Sequence, residues 1–329
     1  MIRSTTGRRR LLMLGVALPV LVAQAPARWP TRPIRFIVPF AAGGNSDVTA
    51  RLFAARITGR LGQSVIVENR SGATGAIGSE AVARSRPDGY MLLIGSPGSI
   101  INGPLLTAQP RYDPIADLVP VALLGRVPMV IIVRSGLPVT SLAELVALSR
   151  SRPEGVSIGT SGTGGANHLP LELFKAATGA NLVHIPYRGG GSTLPDLLAG
   201  NVDGVLIELP SVLDLHREGR ARILGVTSAH RSQLVPEIPT FIEFGLPGFL
   251  AESFVGLFAP TGTPEPILHT LQAAITEAAS DPEILVRLAS FGAEPPAGDD
   301  LTTPGIQAYL QGEMAKARRA IEIAGLHPE

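Results

Sequence analysis

Apolar positions fall into short dense runs separated by polar, glycine-rich and proline-rich stretches. Ile34, Phe36, Ile37, Val38 and Phe40 form the first run, which predicts a buried strand over 34–40. Gly43-Gly44-Asn45-Ser46 reads as a turn, and the spacing of Leu52, Ala55 and Ile57 then predicts a helix over 48–61. A second strand follows over 64–68, a glycine-rich loop over 71–78, a helix over 76–85 and a third strand over 90–94 that ends in Gly95-Ser96-Pro97-Gly98. This βαβαβ order predicts a parallel sheet with helices on both faces.

The order then restarts. Residues 127–133 are apolar and β-branched, and 141–150 opens on Ser141 with Glu144 three residues on, a capping box. Strands are expected over 156–159, 182–185, 202–207, 223–227 and 253–258. Helices are expected over 166–178, 194–199, 264–279, 281–290 and 303–324. Two α/β units therefore stand side by side, with chain crossings near Arg126 and Glu252 and a hinge between them. The expected layout is a first lobe from 28–126 plus 252–329 and a second lobe from 127–251.

The amino-terminal segment changes the charge picture. Arg3, Arg8, Arg9 and Arg10 precede an apolar stretch over 11–23, and Ala25-Pro26-Ala27 supplies small residues for cleavage. The stretch is shorter than the roughly 20 residues needed to span a bilayer. Residues 1–27 are read as a secretory signal peptide, by the general route or, through Arg8-Arg9, a twin-arginine one. Its removal takes away four arginines and moves the formal charge from +1 to −3. The exported chain is mildly acidic, with no basic field for nucleic acid. It contains no cysteine, which excludes a disulfide scaffold, a thiolate metal site, a cysteine nucleophile and a lipoprotein anchor.

Two glycine-rich turns carry the candidate chemistry. The first runs Pro39-Phe40-Ala41-Ala42-Gly43-Gly44-Asn45-Ser46-Asp47, and the second Gly159-Thr160-Ser161-Gly162-Thr163-Gly164-Gly165-Ala166-Asn167-His168. Each follows a strand and opens a helix, the place where such folds bind ligands. Free N–H groups and the helix dipole suit an anion there without a cationic side chain. Neither turn matches a nucleotide motif, and GxSxG and HExxH are absent. Asp47 is either a ligand contact or a first-turn helix residue, and His168 either a contact or a structural histidine.

Longer blocks resemble the periplasmic receptors of tripartite tricarboxylate transporters, the Bug or TctC-like family. They are Val38 through Asp47 with Ala50-Arg51, Val67-Glu68-Asn69-Arg70-Ser71-Gly72, Arg86-Pro87-Asp88-Gly89-Tyr90, Gly162-Thr163-Gly164-Gly165 with His168-Leu169, and Ile185-Pro186-Tyr187-Arg188-Gly189-Gly190-Gly191. Asp196-Leu197-Leu198-Ala199-Gly200, Val226-Thr227-Ser228-Ala229, Ile238-Pro239-Thr240 and Gly256-Leu257-Phe258-Ala259-Pro260 extend the likeness over the mature chain. The resemblance implies a two-lobed Venus-flytrap fold, not an enzyme, without cofactor or metal. It implies a monomer that binds a small organic acid between its lobes and delivers it to membrane permease subunits. By position, the contacts would come from Phe40, Gly43, Asn45, Asp47 and Ser96 in one lobe. Thr160, Ser161, Thr163, Gly164, Gly165 and His168 would face them, with Tyr187 and Arg188 as further candidates. Ile207-Glu208-Leu209 departs from the family pattern, so that Glu208 either takes the acidic role or points elsewhere. Rival readings are a receptor that presents ligand to a sensor kinase and a periplasmic α/β enzyme acting on a small acid.

Overall fold

The computed structural model describes Met1 and residues 29–187 and 189–328. The expected signal peptide and Arg188 therefore lie outside the described residues. The first lobe begins β1 (Ile34–Val38), α1 (Asn45–Leu61), β2 (Val65–Asn69), α2 (Ala76–Ala83) and β3 (Met91–Gly95). A π-helical turn over Gly98–Asn102 then runs into the short α3 (Gly103–Leu106). The long β4 (Leu118–Arg134) leads into the second lobe, which holds α4 (Leu142–Ser151), β5 (Val156–Thr160), α5 (His168–Thr178) and β6 (Leu182–Pro186). It continues through α6 (Leu194–Ala199), β7 (Gly204–Glu208), α7 (Leu213–Arg217) and β8 (Ala221–Val226). β9 (Glu252–Pro260) returns to the first lobe, followed by α8 (Glu265–Ala279), α9 (Pro282–Ser290) and α10 (Thr303–Ile323).

The strand order is β2-β1-β3-β9-β4-β7-β5-β6, with β8 also paired to β4. Only the triplets β2-β1-β3 and β7-β5-β6 are parallel. β9 is antiparallel to β3, and β4 is antiparallel to β9, β7 and β8. The sheet is thus mixed rather than wholly parallel, because the chain crosses between lobes on strands rather than on helices. β4 pairs with β9 from Leu118 to Pro128 and with β7 and β8 from Met129 to Arg134. Its first half escapes a reading by pattern because Pro120 and Pro128 look like strand breakers. Both are accommodated, Pro120 at a register irregularity and Pro128 where the partners change.

The apolar runs are continuous because both faces of each sheet are covered. In β1, Ile34, Phe36 and Val38 join Ala50, Phe53 and Ile57 of α1 in one cluster. Ile37 turns to the opposite face, with Val82 of α2 and Ile306 and Leu310 of α10. β4 repeats the alternation in the second lobe: Met129, Ile131 and Val133 pack on the α5 side, Val130 and Ile132 on the other. Ser141 caps α4 by accepting the Glu144 N–H at 3.2 Å, while the Glu144 carboxylate reaches back to Thr140 rather than to Ser141.

Candidate functional site

The parallel triplets end at two edges that face one another. Three loops leave the first-lobe edge: 39–44 after β1, 70–75 after β2 and 96–102 after β3. They gather around Phe40. A Cβ added to Gly75 would lie 3.2 Å from the Phe40 ring and 3.0 Å from Ser99, so only glycine lets these loops close on the ring. Ala73 and Thr74 beside it both adopt positive φ (46° and 52°). Ser96 is buried, and its carbonyl accepts the N–H groups of Ser99 and Ile100.

Asp47 holds the first glycine turn from below. It is 4% exposed, and its carboxylate accepts from the Gly43 N–H at 2.9 Å, from Asn69 Nδ2 at 3.0 Å and from Arg51 Nε at 3.1 Å. Burial pushes its pKa up, but Arg51, the Gly43 N–H and Asn69 outweigh that and leave it below the usual carboxylate range. Of the two expected roles, ligand contact and helix-start residue, these bonds favour a support for the turn. Asn69 also donates to the Phe40 carbonyl at 3.1 Å. The helix above lacks a side-chain cap, and Gly44, at its N-cap, is exposed. The N–H groups of Gly44, Asn45 and Ser46 have no partner among the described residues. This is the donor set an anion needs at a helix start.

The opposing loop is braced in the same way. Ser161 donates both its N–H (3.0 Å) and its hydroxyl (2.6 Å) to Asn167 Oδ1, and Asn167 in turn donates to the Leu206 carbonyl. The Gly164 N–H donates to Nδ1 of His168 at 3.1 Å. His168 is 2% exposed and lies beneath the loop, which favours the structural histidine of its two expected roles. Burial, then the neighbouring His184 and Lys175, pushes its pKa down to about 4, so the ring is neutral with its proton on Nε2. Thr160 is fully buried and shares a 2.6 Å hydrogen bond with Nε2 of His184. It too supports the loop from below. Thr163 is exposed at the tip.

His168, Glu172 and His184 place potential metal donors within 4.8 Å of one another. Their arrangement does not suit an ion. The two imidazoles stack at 3.9 Å and 20°, so their in-plane lone pairs do not converge, and Lys175 Nζ sits 2.8 Å from Glu172.

The lobes touch through this loop. Asn102, 4% exposed, donates to the Gly165 carbonyl at 3.0 Å. Gly164 has φ of +73°, and a Cβ there would lie 2.7 Å from Leu106. The remaining candidates are spread more widely. Tyr187 donates its hydroxyl to Asp196 at 2.6 Å, and burial together with Asp196 pushes it up to about 12. Glu208 is half-buried at the end of β7. Asn102, Asn167, Asn69 and His184 were not singled out from sequence, because their importance lies in what they brace. A 440 Å³ groove between α5, α10 and residues 246–252 borders the latch through Asn102 and Ala166 but contains none of the expected ligand contacts.

Two lobes with paired strand edges, two glycine loops across the gap and a chain that crosses twice define a two-lobed solute-binding protein. The family model described as "Tripartite tricarboxylate transporter family receptor" matches residues 49–326. The chain belongs to this family, whose members are periplasmic substrate-binding receptors rather than enzymes. It is 38% identical over 291 residues to Protein BugT of Bordetella pertussis, covering 87% of this chain and 89% of that one. It is similar to the structure of R. palustris Rpa4515 with adipate, at a TM-score of 0.84 and 37% identity over 92% of this chain and all of that one. It is also similar to MatC from Rhodopseudomonas palustris with bound malate, at a TM-score of 0.80 and 31% identity over 89% of this chain and 100% of that one.

Proposed function

We propose that this protein is exported to the periplasm, captures a small carboxylate between its lobes and delivers it to the permease subunits of a tripartite tricarboxylate-type transporter. The observation that carries the reading is the uncapped start of α1, with unpartnered N–H groups on Gly44, Asn45 and Ser46, at a strand edge that meets the loop 160–167 through Asn102. Adipate and malate in the similar structures support a carboxylate as the ligand class. The amino-terminal arginines, apolar stretch and Ala25-Pro26-Ala27 support export.

The lobes in this reading are 28–126 with 252–329 and 127–251, and the change of β4 partners at Pro128 and Met129 supports that division. Ligand contacts come from Phe40, Gly44, Asn45, Ser46, Ser96, Ser161, Thr163 and Gly165, while Gly43, Asp47, Thr160, Gly164 and His168 shape the loops. A carboxylate that bridges the lobes shifts them toward the closed arrangement by its preference for that state. The closed monomer then presents both lobes to the permease.

A thermal-shift screen of mono-, di- and tricarboxylates tests the reading. Ligand at about 100 times its dissociation constant adds about 2.7 kcal/mol of stability. A carboxylate that raises the melting temperature in proportion to log concentration is expected. A screen in which only neutral or cationic solutes stabilise the protein would overturn the carboxylate reading.

A further inference from the structure

Glu208 brings a carboxyl group to the edge of the cleft. β7 runs parallel to β5 with Gly159 opposite Val205. β5 ends at Thr160, where the second glycine loop begins, and β7 ends at Glu208, so that Glu208 stands at the same carboxyl edge as that loop. On its other side it lies opposite Met129, where β4 passes from one lobe to the other. Its Oε2 lies 3.9 Å from the position a Cβ would take on Gly190, in the loop after β6. The Ser253 hydroxyl of β9 stands beside it, and among the described residues no cationic side chain pairs with it. Burial raises its pKa, and its own backbone N–H and then Ser253 offset this only in part.

With no cation beside it among the described residues, an ionised carboxyl at this depth accepts from a donor and repels a second carboxylate. We infer that Glu208 makes this cleft select a carboxylate whose far end carries a nitrogen donor, an ammonium or a primary amide, over a dicarboxylate. The inference rests on the carboxylate-receptor reading and narrows it, because the similar structures with adipate and malate would suggest a dicarboxylate. The helix start holds the shared carboxylate through backbone N–H groups, and Glu208 reads the other end.

Calorimetric titration of the full mature protein with matched sets tests this: succinate, γ-aminobutyrate and succinamate, then adipate, ε-aminocaproate and adipamate. The expected result is at least tenfold tighter binding of the amino or amide member than of the dicarboxylate in one set. The amino and amide arms separate the two nitrogen donors. Glu208→Gln is near-isosteric and removes only the acid, and a melting curve checks that it folds. It should cut the preference at least tenfold, mainly by admitting the dicarboxylate. Dicarboxylate preference in the native protein that Glu208→Gln leaves unchanged would overturn the inference while the receptor reading stands. A dicarboxylate preference lost in Arg188→Gln would assign the far end to that arginine and likewise overturn it. If every member of both sets and the wider carboxylate screen failed to bind, the receptor reading would fall and the inference with it.

Discussion

The backbone N–H of Gly164 donates to Nδ1 of His168 at 3.1 Å. This bond exists only while the imidazole is neutral at Nδ1. The folded pKa of His168 is depressed to about 4 from an ordinary 6.5, so the unfolded chain takes up the proton first as the medium is acidified. The stability it contributes is complete above pH 6.5 and is lost progressively down to about pH 4, by about 3 kcal/mol at most. Denaturant unfolding across this range should show the loss. His168→Asn keeps an acceptor near the Nδ1 position and removes the titration, so it should flatten the profile. An unaltered slope in His168→Asn would assign the pH dependence elsewhere.

Gly164 is held against Leu106 as well as above His168. Its φ is +73°, and a Cβ would come 2.7 Å from Leu106 Cδ1. Gly164→Ala should therefore weaken ligand binding through shape alone, at a backbone cost of about 1–2 kcal/mol. Gly164→Asp would add charge to that strain, so a loss of carboxylate binding in it would not isolate electrostatics. Leu106→Ala should recover part of the Gly164→Ala defect in a double-mutant cycle. Strict additivity of the two changes would show that the contact is not coupled.

Asn102 ties the π-helical turn of the first lobe to the Gly165 carbonyl of the second. Asn102→Ala removes about 1 kcal/mol of net hydrogen bonding and leaves a buried carbonyl without its donor. Ligand affinity should fall by about tenfold, which corresponds to about 1.4 kcal/mol. Small-angle scattering of the ligand-free variant should show a larger radius of gyration than the native protein. Equal radii and equal affinities would remove Asn102 from the closure of the lobes.

Asp47 satisfies Gly43, Asn69 and Arg51 from one buried carboxylate. Asp47→Ala should destabilise the first lobe by about 2 kcal/mol and lower ligand affinity more than stability alone explains. Asn69→Ala, which releases both Asp47 and the Phe40 carbonyl, should reproduce the affinity loss in weaker form. Calorimetry on the folded variants distinguishes the effects. Native affinity in Asp47→Ala would mean that the turn holds its shape without it.

The sequence by itself determined the elements and the character of the cleft. Apolar runs at 34–38 and 129–133 had to be covered on both faces, and glycines at strand ends had to form turns, because these requirements are local. The α6 helix over Leu194–Ala199 is legible to the residue, for the same reason. Tertiary structure decided what each polar residue does. Asp47 and His168 each read as a ligand contact or a support, and burial with their partners favours the support. The first half of β4 hid behind Pro120 and Pro128, since strand partners more than a hundred residues away make those prolines tolerable. Asn102 lay in a stretch for which no element was expected, and it became a latch only once the second lobe was brought against it. Local pattern specifies what a segment must bury, whereas the role of a polar group depends on which distant atoms fold within hydrogen-bond reach.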